Sequence, residues 1–202
     1  MVLGPVVTLA SRSPCFGCGA PGAVLCRGCR EGLAPPHRSD SIESVDRVVI
    51  PWAYEAGARD LVLALKLRAR KAAADVLGAA VASELQSCGT LAEAIVWVPG
   101  RPKDIRVRGF DHAELIARTV AAVTGLRLVG CLRRTGYRPD QTSLSGVDRR
   151  ANLEGAFSAT AGPDRVVLID DLVTTGATAT ACARALLEAG TTRVEVGAPC
   201  RA

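Results

Sequence analysis

The segment Val166-Val167-Leu168-Ile169-Asp170-Asp171-Leu172-Val173-Thr174-Thr175-Gly176-Ala177-Thr178 decides the fold of this chain. Its aliphatic opening has the composition of a strand buried on both faces of a parallel sheet. Two carboxylates follow, then a turn rich in threonine and glycine, then an alanine-rich stretch of helical character to about residue 189. Gly190 stands where a helix C′ residue is wanted. Residues 193–198 supply the next strand, so the segment opens a strand–helix–strand unit. In open α/β sheets the C-terminal ends of such strands are where ligands bind.

Working outward, the same alternation recurs. Residues 47–54 read as a strand. Residues 57–67 are amphipathic, with Ala58, Leu61 and Leu65 on one face, and predict a helix. Residues 71–86 predict a second helix, ended near Gly89. Residues 94–98 form a short apolar strand stopped by Pro99-Gly100. A strongly basic stretch, residues 101–110, reads as a loop. Asp111 is placed to cap a helix running to about Thr124, with Glu114 at the capping-box distance and Gly125 as its stop. Residues 126–132 read as strand, 133–143 as a mobile loop or an ordinary surface loop, and 147–153 as one or two helical turns. This pattern predicts an α/β domain with a mostly parallel sheet flanked by helices. The expected division is residues 1–38 as a small N-terminal module and 39–202 as the main domain.

Composition agrees. The chain has 202 residues, 49% hydrophobic and 22% charged, enough for one sizeable α/β domain and an appendage. With aromatics at only 3%, Val, Leu, Ile and Ala must build the core. The formal net charge of +5 suits phosphate ligands or nucleic acid, and equally a soluble basic surface. No apolar run reaches transmembrane length. The start of the chain lacks the basic n-region and long h-region of a signal peptide. A cytoplasmic location without membrane insertion is the expectation.

Eight cysteines in a reducing compartment argue against a disulfide framework. Cys15-x₂-Cys18 and Cys26-x₂-Cys29 instead form two knuckles that can offer four thiolates to one tetrahedral Zn²⁺. Such a site is closed to water and so structural. Binding would supply folding energy to a segment too small to bury its own backbone. A redox role for the CxxC pairs is the competing reading. Cys88, Cys131, Cys182 and Cys200 read as small apolar residues.

The chemistry concentrates at Asp170 and Asp171. Ionised carboxylates accept hydrogen bonds from ribose hydroxyls and act on Mg²⁺ directly or through water. Thr174, Thr175 and Thr178 offer hydroxyls, and Gly176 and Ala177 offer backbone N–H groups at a helix start. Together they suit a dianionic phosphate. Plain helix capping is the alternative.

The segment Val166 to Thr178 resembles the 5-phosphoribosyl-1-pyrophosphate (PRPP) signature of type I phosphoribosyltransferases. The resemblance extends over nearly the whole chain to the ComF family, amidophosphoribosyltransferase-like proteins of competence. It rests on the cysteine cluster, on Tyr54-Glu55 with Leu65-Lys66-Leu67, and on Val98-Pro99 followed by Arg106-x-Arg108-Gly109-Phe110. Gln141, Arg149-Arg150-Ala151-Asn152 and Gly155-Ala156-Phe157 complete it. The chain departs from the family pattern at Gly100-Arg101, where a second Val-Pro is usual, and at Asp111-His112, where Asn-Gln is common.

The resemblance implies a type I phosphoribosyltransferase-like domain with an N-terminal zinc finger, Zn²⁺ as structural cofactor and Mg²⁺ with PRPP. A nitrogen nucleophile would displace pyrophosphate at C1 of ribose through an oxocarbenium-like transition state, with Asp170 and Asp171 as the catalytic acids. Arg101, Lys103, Arg106 and Arg108 are the candidates for the pyrophosphate side; a solvated or nucleic-acid-binding patch is the alternative. Lys66 and Arg68 can contribute, and Lys66 can equally snorkel along a helix. His112 is a candidate base, although a lone histidine at a helix start is usually a surface residue. The expected partners are PRPP or a related ribose phosphate, single-stranded DNA or competence proteins, and a second copy of the chain in a homodimer. A non-catalytic accessory role in DNA uptake is the competing function.

Overall fold

The computed structural model describes residues 14–36, 41–135 and 155–202. Its centre is a five-stranded sheet of β1 (Arg47–Val49), β3 (Ala94–Trp97), β4 (Arg127–Leu128), β7 (Arg165–Ile169) and β8 (Arg193–Gly197). The strands lie in the order β1-β8-β7-β3-β4, and every neighbouring pair is parallel. Two short pairs flank it: β2 (Trp52–Ala53) parallel to β9 (Cys200–Arg201), and β5 (Leu132–Arg134) antiparallel to β6 (Phe157–Ala159). The helices are α1 (Arg27–Glu31), α2 (Ala56–Arg68), α3 (Ala72–Ser87), α4 (Pro102–Arg108), α5 (His112–Thr124) and α6 (Ala177–Glu188). The expected α/β class is the observed one.

The aliphatic run of β7 serves both faces. Val167 and Ile169 join the core packed by α2, α3 and α5, while Val166 and Leu168 join the core beneath α6. All four are fully buried, which is why the segment shows no polar alternation. Leu61, Leu77, Leu85, Ile95 and Ile116 are likewise sealed in the first core. Each contributes about 1.5–3 kcal/mol by leaving water. Helices α3 and α5 approach closely because of Gly78. A Cβ there would lie 2.6 Å from Thr119 Cβ and 2.8 Å from the Ile116 carbonyl.

Three expectations are corrected. The strand expected over 47–54 breaks at Pro51, which has no N–H to give a ladder. The chain leaves the main sheet there, and Trp52–Ala53 pair with β9 instead. The strand expected over 126–132 is two pieces: Arg127–Leu128 beside β3, then Leu132–Arg134 in a separate hairpin. Between them Gly130 passes under Trp97, where a Cβ would fall 2.8 Å from the indole. The basic loop expected over 101–110 is mostly the helix α4. Pro102 opens it at the first turn and Gly109, at φ +80°, closes it in the left-handed region.

The cap at Asp111 is as expected: its carboxylate accepts from the Ala113 N–H at 3.1 Å. Glu114 is engaged by Arg118 one turn on, at 2.6 Å. The helical turns expected over 147–153, and the 38/39 division, lie outside the described residues or at their edge.

Candidate functional site

Strand order sets the site. After β3 the chain moves to β4 on one side, and after β7 it moves to β8 on the other. The C-terminal ends of β3 and β7 therefore flank a topological switch point, where loops diverge and leave a crevice. The two ends are in register, with Trp97 opposite Ile169 and the Val98 N–H donating to the Ile169 carbonyl at 2.9 Å. Asp170 and Asp171 leave from one strand and Gly100-Arg101 from the other.

The two aspartates are chemically unlike. Asp171 Oδ1 lies 2.8 Å from Lys66 Nζ, from the last turn of α2. Its Oδ2 lies 3.5 Å from His112 Nδ1, from the first turn of α5. Burial pushes the Asp171 carboxyl up, but the contacts to His112 and Lys66 outweigh it and hold the group below its ordinary value. Asp170 Oδ1 accepts from the Asp171 N–H at 2.8 Å. Burial, then the neighbouring Asp171 charge, pushes Asp170 up to about 7. One acid of the pair is firmly ionised and the other is poised near neutrality, the usual outcome for adjacent carboxylates.

Beyond them the chain turns into α6. Thr174 and Thr175 are exposed, and Thr175 Oγ1 accepts from the Ala177 N–H at 3.4 Å. Gly176 is the N-cap at φ +80°, and a Cβ on it would lie 3.0 Å from Ile42. Glycine is thus needed twice over, for the backbone angle and for the fit. Ala177 and Thr178 are half-buried in the first turn of the helix.

The basic segment is spread by its helix. At about 100° per residue, Lys103 and Arg106 share one side of α4, while Arg101 and Arg108 share the opposite side. The four are therefore not brought together on one surface, as a loop would have allowed. Lys103 and Arg106 are exposed; Arg108 is half-buried, and its Nε is buried without a hydrogen-bond partner among the described residues.

Three residues at the crevice were underrated or missed by the sequence reading. His112 is 5% exposed, not a surface histidine, and its Nε2 is a buried atom without a hydrogen-bond partner among the described residues. Asp111 does more than cap: its Oδ2 accepts from the Gly100 N–H at 2.7 Å. Burial raises its carboxyl, while the N–H groups of Gly100, Ala113 and Glu114 act in the opposite direction. Arg134 on β5 stacks over the Phe157 ring at 4.5 Å and donates to the Pro99 carbonyl at 3.3 Å. Burial holds its guanidinium below the ordinary value, against the influence of Cys182, Asp170 and Asp111 and with that of Arg101. The loop expected over 133–143 begins as this strand; residues 136–143, with Tyr137 and Gln141, and Arg149 to Asn152 lie outside the described residues.

A second site is built locally. The Sγ atoms of Cys15, Cys18, Cys26 and Cys29 all lie within 4.8 Å of one another. The Cys26 N–H donates to Cys15 Sγ at 3.3 Å, and Cys18 and Cys26 sulfurs are 3.7 Å apart. Burial raises the Cys15 thiol, but backbone donors from Cys26, Cys18 and Gly17 outweigh it and bring it to about 6. Contacts with Cys26, Cys18 and Cys15 push Cys29 up to about 12. Four thiolates this close repel one another, and a metal cation relieves that repulsion. Gly17 permits the approach, since a Cβ there would lie 2.7 Å from Cys29 Sγ. The donor set fits a structural metal ion. The segment packs on the main domain through Cys15 and Leu25, in one core with Ala58 and Leu61.

Among the described residues, no helix is long and apolar enough to cross a membrane. No family model matches the chain. Among solved structures it is similar to the glutamine PRPP amidotransferase of B. subtilis complexed with ADP and GMP. The identity is 26%, over 61% of this chain and 25% of that one, with a TM-score of 0.43. It is also similar to the adenine phosphoribosyltransferase of Leishmania tarentolae: 17% identity, 66% of this chain and 58% of that one, TM-score 0.37. Among curated proteins, 118 residues are 31% identical to competence protein F of Haemophilus influenzae, covering 55% of this chain and 52% of the relative. The chain thus spans about half the length of that protein. Over 202 residues it is 29% identical to the DNA utilization protein YhgH of Salmonella typhimurium, covering 94% of this chain and 84% of the relative. The chain is thus similar to competence protein F over about half of its own length, and to the DNA utilization protein YhgH over nearly all of it.

Proposed function

We propose that the crevice binds PRPP with Mg²⁺, and that the chain transfers the phosphoribosyl group to a nitrogen of an acceptor with release of pyrophosphate. One observation carries the reading: a carboxylate pair and the glycine-led start of α6 stand on the β7 side of a switch point whose β3 side bears Gly100 and Arg101. A ligand phosphorylated at both ends of a ribose matches that layout. The Ala177 and Thr178 N–H groups and the Thr174, Thr175 and Thr178 hydroxyls would hold the 5′-phosphate at the positive end of the helix. Asp170 would accept from the ribose hydroxyls, and Arg101 would face the pyrophosphate, with Lys103, Arg106 and Arg108 as weaker candidates. Mg²⁺ bound with the ligand supplies charge neutralisation at the leaving group. Arg134, resting on Phe157 above Pro99, would help exclude water. Cys15, Cys18, Cys26 and Cys29 would hold Zn²⁺, closed and structural.

Calorimetry of the zinc-loaded chain with PRPP and Mg²⁺ tests the binding step, and a screen of bases and amines for pyrophosphate release tests transfer. Saturable binding with release from at least one acceptor is the expected result. A folded, zinc-loaded sample that binds no PRPP sinks the reading.

A second reading has its own support. The exposed cations Lys103 and Arg106 on α4, with Arg68, Arg70 and Lys71 at the α2–α3 turn, suit a non-catalytic cytoplasmic protein handling single-stranded DNA. Relatives named for competence and DNA utilization agree with it. Titration of single-stranded DNA at several salt concentrations separates the two readings. A steep loss of affinity with salt, without pyrophosphate release, favours the second.

A further inference from the structure

We propose that the first two residues of the α5 segment are a paired clamp that fixes the spacing between the two loops of the crevice. Asp111 holds the β3 loop through the Gly100 N–H at 2.7 Å, and His112 holds the β7 loop through Asp171 Oδ2 at 3.5 Å. The two residues are neighbours at a capped helix start, so both loops are referenced to one rigid element. Both are buried, at 6% and 5% exposure. The His112 ring is also held edge-on by Phe110, with centroids 5.5 Å apart.

The rest of the site accommodates the clamp. Lys66 takes the other oxygen of Asp171 at 2.8 Å, so both oxygens of that carboxylate are committed to the protein. Asp170 is then the acid left for a ligand. Gly100 is fitted to Asp111: a Cβ at position 100 would lie 3.2 Å from Asp111 Oδ2 and 3.4 Å from its Cγ. This chain departs from the pattern it otherwise resembles at positions 100, 101, 111 and 112. Gly100 and Asp111 touch each other, and His112 touches the acid pair. Three of the four departures thus form one device.

For its ligand the clamp rests on the PRPP reading above. One ligand spanning both loops is sensitive to their spacing, and small misplacements are expensive. His112 and Asp111 are positioning residues, and His112 acts through Asp171.

The test is a double-mutant cycle on the zinc-loaded chain, read by melting temperature without ligand and by calorimetry with Mg²⁺ and PRPP. We expect His112→Ala to weaken PRPP binding by about tenfold. His112→Ala combined with Asp171→Asn should lose no more than Asp171→Asn alone in either readout, since the pair acts as a unit. His112→Gln, which keeps a donor, should restore affinity to within about threefold of the parent. His112→Ala combined with Asp170→Asn should be additive. Additive losses for His112 and Asp171 in both readouts overturn the clamp. If the parent chain binds no PRPP, the ligand reading fails, and the melting cycle alone decides: coupling upholds the clamp, additivity overturns it.

Discussion

The cysteine cluster and the crevice are both built by concentrating like groups, but by opposite routes. The cluster draws its four sulfurs from residues 15–29, and two tight knuckles close it. The crevice draws Lys66, Gly100, Asp111, His112, Arg134 and Asp170-Asp171 from separate elements, and the packing of those elements around the strand ends brings them together. The first can relieve like-charge repulsion by admitting a cation. The second relieves it internally, by pairing one acid with Lys66 and His112 and leaving the other near neutrality. A local site is therefore as strong as its metal, whereas a convergent site is as well placed as its fold.

Removing the metal should give the largest effect. Structural zinc supplies on the order of 10 kcal/mol to small modules. Chelation, or Cys18→Ser, should open the segment around residues 15–33 to protease while the central sheet persists by circular dichroism. Simultaneous loss of the sheet would show that the two regions are one cooperative unit.

At the crevice, Asp170→Asn should weaken Mg²⁺–PRPP binding by at least about 100-fold, or roughly 2.7 kcal/mol, measured by calorimetry. The same substitution has a signature in pH. The folded ligand-free chain keeps a proton on Asp170 up to about 7, against an ordinary value of 3.8. Between those values the unfolded chain binds fewer protons, so this group's contribution to stability falls as pH rises. Asp170→Asn should remove that slope in urea melts, and PRPP affinity in the parent should rise as pH increases through 7. Asp171 has the opposite sign: its contribution is present above the ordinary carboxylate value and is lost as pH falls through its depressed one.

Lys66→Met should come next, costing about 1 kcal/mol in urea melts, because the pair is only partly shielded, with side chains 28% and 19% exposed. A larger loss would mean that Asp171 cannot rest on His112 alone. The smallest effect belongs to Glu43→Ala. Its partner Arg184 lies at 2.6 Å, but both are exposed, so the change should stay below about 0.5 kcal/mol.

Legibility followed the same division. The knuckles could be read because their ligands repeat at fixed short spacing. The β7 strand could be read because burial on both faces leaves an unbroken aliphatic run. The α4 helix was hidden by its charge, although Pro102 and Gly109 marked its ends in the sequence. Asp111 was readable as a cap, but its bond to Gly100 depends on two elements meeting. Arg134 carried no signal, since a polar stretch looks alike whether it forms a surface loop or a strand folded over a crevice. His112 was discounted by its position at a helix start, yet the N-terminus of α5 points into the fold. A histidine beside a capping acid, next to a basic segment, was the available clue.

The short strand Cys200–Arg201 has a mechanical consequence. On one side it pairs with β2, whose Ala53 N–H reaches the Ala34 carbonyl just after the cysteine segment. On the other side the Cys200 carbonyl accepts from Val173, and Val173 accepts from Ala202. These bonds make a tie-rod from the edge of the cysteine segment to the turn that leads into α6. The two ends are thus joined through main-chain hydrogen bonds, without any side chain in between.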